Sequence, residues 1–136
     1  MIELIEKTPT VDEYNNLTNS VGWGKRENNI VEEALKNTLY SLCVYDNDKL
    51  VGYGRIIGDK TIFLYIQDVM VAKEFQKGKI GTQIMNGLLK KIVEYKKTNP
   101  DIRVYLGASK GKEDFYKKFG FITRHDANLG EGMILT

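Results

Sequence analysis

The chain is expected to adopt an α/β (α+β) fold: a mixed, mostly antiparallel central sheet with one parallel strand pair, flanked by about four helices. Residues 62–71, Ile-Phe-Leu-Tyr-Ile-Gln-Asp-Val-Met-Val, form an apolar, β-branched and aromatic run that suits a strand buried on both faces. Residues 80–95 place Ile80, Ile84, Leu88, Ile92 and Tyr95 every three or four positions, the spacing of a helix. Two strand-like segments with turn residues between them precede this unit and a short one follows it. The sheet therefore starts as an antiparallel meander and gains a parallel strand through a right-handed crossover.

In order, Ile2 to Glu6 alternates weakly as a first strand. Thr10 caps a helix, with Glu13 three residues on and Val11, Tyr14 and Leu17 on one face. Asn19-Ser20 ends it, and Val21-Gly22-Trp23-Gly24 reads as a flexible turn. Asn28 or Asn29 caps a second helix through Lys36, with Ile30, Ala34 and Leu35 inward. Leu39–Tyr45 and Leu50–Ile57 pair through the turn Asp46-Asn47-Asp48-Lys49, whose Asn and Asp tolerate hairpin geometry. Gly52 and Gly54 mark bends or close backbone contact in the second of these strands. After the central helix, 96–100 is a polar break and Arg103–Leu106 a short strand. Ser109–Lys112 opens a last helix bearing Phe115, Tyr116 and Phe119, which Gly120 stops. Phe121–Thr123 and Gly132–Leu135 are expected as a closing strand pair, whose exposed edges would allow a homodimer.

The 136 residues fit a single domain, 1–136, with one core. A net charge of +2, from 20 Lys and Arg against 18 Asp and Glu, offers no bulk attraction to nucleic acid. The single cysteine, Cys43, excludes an internal disulfide framework and sits in an apolar run as a buried thiol. One His and one Cys do not make a metal site. No signal-peptide pattern or bilayer-length apolar run is present, so no membrane partner is expected and the cytoplasm is the expected location.

Between the 62–71 strand and the helix that follows it lies a loop with two glycines and three lysines, Lys73, Lys77 and Lys79. A helix start presents unpartnered N–H groups and the positive end of the dipole, so a pyrophosphate is a natural guest. An ordinary strand-to-helix turn with solvated lysines has the same pattern.

This loop, together with Asp114-Phe115-Tyr116-Lys117-Lys118-Phe119-Gly120-Phe121, resembles the GNAT superfamily of acetyl-coenzyme-A-dependent N-acetyltransferases over nearly the whole chain. Gln76 and Gly81 match the first and last positions of that family's loop pattern. Lys79 replaces its middle glycine, and Gly78 stands one residue early. Ser109 and Lys110 stand where many relatives carry an Asn.

The resemblance implies acetyl-CoA as cofactor, with the backbone of Lys77, Gly78, Lys79, Ile80, Gly81 and Thr82 receiving its pyrophosphate. Val69, Met70 and Val71 would pair with the pantetheine arm, which implies a parallel strand pair splayed apart at that point, and Gln76, Ser109, Phe115 and Tyr116 complete the cofactor set. Tyr116 matches the tyrosine that protonates the departing thiolate; by spacing alone it would be a core aromatic. Asp68 is a candidate base, with a structural carboxylate as the alternative. Trp23, Tyr53 and Tyr65 are candidates for the acceptor pocket, and His125 reads as a solvated loop residue. The implied activity is acetyl transfer to a primary amine, of a small molecule in preference to a protein. A non-catalytic acyl-CoA sensor of the same fold is the alternative.

Overall fold

The structure, a computed structural model, describes residues 1–136. Its elements are β1 (Ile2–Glu6), α1 (Val11–Ser20), α2 (Asn28–Lys36), β2 (Tyr40–Asp46), β3 (Lys49–Gly58), β4 (Phe63–Val71), a 3-10 turn (Lys73–Phe75), α3 (Ile80–Thr98), β5 (Arg103–Leu106) and α4 (Glu113–Lys117). The chain divides into two compact units, Met1–Tyr105 and Leu106–Thr136. No helix is long and apolar enough to cross a membrane.

The sheet runs β1-β2-β3-β4-β5. The first four strands are antiparallel, as the meander predicts. β5 joins parallel to β4: Arg103 N–H donates to the Ile62 carbonyl at 2.8 Å, and the Tyr105 ring stacks 5.4 Å from Tyr65. α3 covers one face of the sheet through Ile80, Ile84 and Leu88. Its close approach requires the glycines of β3. A Cβ on Gly54 would stand 2.7 Å from Ile84 and 3.0 Å from Leu88, and one on Gly52 would stand 3.0 Å from Ile80. The other face takes α1, where the Tyr14 ring meets the fully buried Tyr53 edge-on at 5.9 Å. Full burial of each such side chain stabilises by about 2 kcal/mol.

α1 starts as the sequence predicts. Thr10 Oγ1 accepts from Glu13 N–H, and Glu13 Oε1 accepts from Thr10 N–H. The following turn is pinned rather than flexible. Buried Asn15 bonds both the N–H and the carbonyl of Arg26, Thr18 Oγ1 donates to Gly24, and Trp23 N–H donates to Thr18.

Other details depart from expectation. α2 starts at Asn28 with no side-chain cap, and it buries Val31 and Leu35, four residues apart, while Ile30 is half exposed. α3 runs on to Thr98, because Lys96 and Lys97 suit the negative end of a helix; the chain then reaches Pro100, before which helix is disfavoured. β4 is buried on both faces only in part. Leu64 and Ile66 are covered on the α3 side, whereas Phe63 and Tyr65 on the other side stay about two-fifths exposed.

In the second unit, Phe115 packs edge-on against Tyr116 and Phe119 at 5.1 and 5.3 Å. Gly120 ends this segment with φ +93°. The expected closing strands do not form. Residues 123–129 make local turn bonds, such as Ala127 N–H to Thr123 and Leu129 N–H to Arg124. These leave no extended partner, and Met133, Ile134 and Leu135 stand almost wholly exposed. The strand edges invoked for a homodimer are therefore not formed.

The β3–β4 turn yields a first prediction. Gly58 has φ +140°, and a Cβ there would stand 2.2 Å from the Phe63 carbonyl oxygen. Gly58→Ala should cost about 3 kcal/mol, read as a lower Tm. Asp59 Oδ1 accepts from the N–H groups of Thr61, Ile62 and Phe63. These donors, Phe63 foremost, hold its carboxyl down at about 2, below the ordinary 3.8. The folded pKa is depressed, so the contribution is complete above about pH 4 and fades as pH falls toward 2. The Tm gap between the parent and Asp59→Ala should be full at pH 6 and close over that window.

Cys43 provides another. It is fully buried, its Sγ–H donates to the Lys7 carbonyl, and burial pushes the thiol up to about 12. Iodoacetamide at pH 8 should leave it unmodified in the native protein and alkylate it at the rate of global unfolding.

Candidate active site

The site is organised by one irregularity in β4. Tyr53 pairs with Met70 and Arg55 with Gln67, so Gly54 faces two residues, Asp68 and Val69. This is a β-bulge, and Asp68 carries it in the left-handed region at φ +56°. Asp tolerates that region better than most residues. The extra residue reverses the facing of the strand. Ile66 shares the α3 side with its partner Ile56, and Val69 also lies near Ile84 and Leu88, whereas Met70 is opposite Tyr53.

Asp68 is turned toward the α1 side. Its Oδ2 accepts from Tyr14 Oη–H at 2.7 Å and from Arg55 Nε–H at 2.8 Å. Arg55 is held in turn by Thr38 Oγ1 at 3.0 Å and the Ala34 carbonyl at 3.4 Å. The Arg55 and Asp68 side chains are 15% and 17% exposed, so the ion pair is largely shielded from water. Burial, then the bond to Asp68, pushes the Tyr14 hydroxyl up to about 12, which keeps it a donor at neutral pH.

Tyr14 and Arg55 are absent from the residues that sequence reading selects. Tyr14 resembles an ordinary core residue on a helix face. Arg55 carries the clearer signal, because a cation inside an otherwise apolar strand requires a buried partner.

β5 has four residues against nine in β4, and its bond lies at Ile62. The far half of β4, including Val69, Met70 and Val71, therefore runs beyond the strand that continues the sheet. Gln76 folds back on it, its Nε2 donating to the Val71 carbonyl at 2.9 Å. Ahead of α3, Gly78 N–H reaches the Phe75 carbonyl at 3.3 Å. The backbone N–H groups of Lys77, Lys79, Ile80, Gly81 and Thr82 make no bond within the chain, and the first helical bond runs from Gln83 to Lys79. Lys79 has φ −102°, an ordinary value for an L-residue, so its replacement of a glycine brings no strain. Lys73, Lys77 and Lys79 are exposed around this helix start.

The remaining candidates lie on several elements. Tyr53 is fully buried, its hydroxyl bonded to Ser41 at 2.7 Å, so it offers no surface to a ligand. Tyr65 stacks on Tyr105 with about two-fifths of its surface open, and Trp23 is 46% exposed in its pinned turn. In the second unit Ser109 is exposed in the turn before α4, where its carbonyl accepts from Lys112 N–H. Phe115 and Tyr116 lie on α4, and burial raises the Tyr116 hydroxyl above its usual value near 10. A cavity of about 290 Å³ beside α1 and the β2–β3 turn, lined by Glu13, Asp48, Lys49 and Glu74 among others, contains none of these candidates.

The profile of the acetyltransferase (GNAT) domain matches residues 19–136. A ycf52-like N-acetyltransferase of Prochlorococcus marinus is 30% identical over 126 residues, covering 90% of this chain and 68% of that protein. Among solved structures, the Staphylococcus aureus protein SA2161 superposes with a TM-score of 0.84 at 30% identity, covering 100% of this chain and 99% of its own. The GNAT family protein SP0256 of Streptococcus pneumoniae gives 0.78 at 25% identity, covering 100% and 98%. With its bulged fourth strand leading into an open helix start, the chain belongs to the GNAT acetyltransferase family.

Proposed function

We propose that the protein transfers the acetyl group of acetyl-CoA to the primary amine of a small molecule, by direct attack within a ternary complex. The observation that carries this reading is the set of five unpartnered backbone N–H groups at Lys77, Lys79, Ile80, Gly81 and Thr82. Such donors, at the positive end of a helix and among three lysines, suit a pyrophosphate and ask for no particular side chain. The end of β4 beyond β5 suits an extended pantetheine arm, which would add to it as a strand does.

Acetyl-CoA would supply an acyl group activated as a thioester. The amine forms a bond to the acyl carbon, the carbon–sulfur bond breaks, and the amine's surplus proton passes to solvent. The backbone N–H of Val71 answers the charge that develops on the acyl oxygen, a donor typically worth about 3 kcal/mol, whereas the register turns that of Met70 toward Tyr53 across the ladder. Tyr116 gives its proton to the departing sulfur and regains one from water. Its raised pKa keeps the phenol protonated throughout the neutral range. Trp23 and Tyr65, both partly open, are the side chains proposed to meet the acceptor.

An amine panel with acetyl-CoA, followed by release of free thiol, tests the reading. Turnover with at least one small amine is expected, and binding without turnover on any amine would leave a sensor instead. Tyr116→Phe should retain acetyl-CoA affinity within about twofold and lose about 100-fold in kcat. On the alkaline limb, the parent's kcat should hold past the ordinary phenol value of about 10, since burial raises the phenol's pKa and preserves its acid form at higher pH. An unchanged kcat in Tyr116→Phe would remove Tyr116 from the chemistry.

A further inference from the structure

We propose that Asp68 is a positioning residue: Arg55 and Tyr14 clamp its carboxylate and thereby hold the β4 bulge that sets the backbone of Val69–Val71 and aims the Val71 N–H at the open edge of the strand. The inference rests on the reading of β4 as the strand that takes the thioester.

Its first support is the bulge geometry. An extra residue in a strand is a local register choice, and a slip of one position would return Val69, Met70 and Val71 to the opposite facing. Gly54 opposite contributes no side chain to prevent this. Asp68 must also stay at φ +56°, a conformation that persists only where the surroundings hold it. The holding groups are present and converge on a single atom. Oδ2 accepts from the phenol of α1 and the guanidinium of β3, 2.7 and 2.8 Å away. The guanidinium has its own anchorage at Ala34, near the end of α2, and at Thr38 just beyond it. Elements 54 and 13 residues away from Asp68 in sequence therefore determine the backbone at the proposed reaction centre. Both lone pairs of Oδ2 are committed to this task, a structural use of the carboxylate where the sequence suggests a base.

The substitutions separate the two roles through the backbone conformation each residue accepts. Asn tolerates the left-handed region and still accepts a bond from Arg55, but it cannot take a proton. Ala does neither. ¹⁵N-labelled full chain is titrated with acetyl-CoA while the amides of Val69, Met70 and Val71 are followed by NMR, and kcat is measured against pH. In the free protein, Asp68→Ala and Arg55→Gln should displace those three amide resonances, and kcat should fall by about 10-fold or more. Asp68→Asn and Arg55→Lys should displace them less and lose about threefold, with the acid limb of the pH profile retained. The clamp is refuted if Asp68→Ala leaves the three amides at their parent positions. It is equally refuted if Asp68→Asn loses as much turnover as Asp68→Ala and its acid limb disappears, the signature of a base. Should Asp68→Ala fail to fold, Tyr14→Phe and Arg55→Gln decide by the same amide criterion. If acetyl-CoA moves none of the three amides in the parent, the thioester reading fails, and that failure is visible separately from the variants' effect on the free protein.

Discussion

One residue too many in β4 is the constraint on which this molecule turns. Opposite Gly54 the strand carries both Asp68 and Val69. Before that point the even-numbered side chains Leu64 and Ile66 are buried on the α3 face of the sheet. After it Val69 takes that face, and Met70 moves to the side of Tyr53. The bulge thus joins two strand halves of opposite facing without ending the strand. It also brings a carboxylate to the side where an arginine would otherwise be buried unpaired. Burying either ion alone would be strongly destabilising, so strand irregularity and ion pair support one another.

Around this centre, the proposed recognition of the cofactor falls to the main chain more than to side chains. The donors ahead of α3 are peptide N–H groups, and the far half of β4 offers a peptide edge. This explains how Lys79 can stand at the middle position of the loop pattern without loss of a donor. A donor set made of backbone depends on φ and ψ, and Lys79 adopts ordinary values. The side-chain amide of Gln76 is tied to Val71 and fastens the loop to the strand it leaves. The second unit carries Tyr116 among Phe115, Phe119 and Phe121, and burial there suppresses ionisation of the phenol.

Much of the architecture was legible from the amino-acid order. Helical spacing from Ile80 to Ile92 located α3, Thr10 and Glu13 announced the capping box, and Asn47-Asp48 marked the β2–β3 hairpin. These signals are local: a cap, a turn or an apolar stripe is written within a few residues of where it acts. The errors also have local causes. Phe121–Thr123 and Gly132–Leu135 have strand-like composition, but a strand exists only through a neighbour, and their backbone groups found turn partners or none. Ile30 is apolar and yet half exposed, because the helix phase turns Val31 and Leu35 inward.

From the sequence alone came the order of the elements, the family resemblance and the glycine-bearing loop before a helix, because each is a short-range pattern. Tertiary structure alone decided that Asp68 is clamped by Tyr14 and Arg55, that Tyr53 is buried beyond reach of a ligand, and that β4 changes its facing midway. The physical reason is register: pairing strands one residue apart leaves every local pattern intact and changes which side chains meet across the fold.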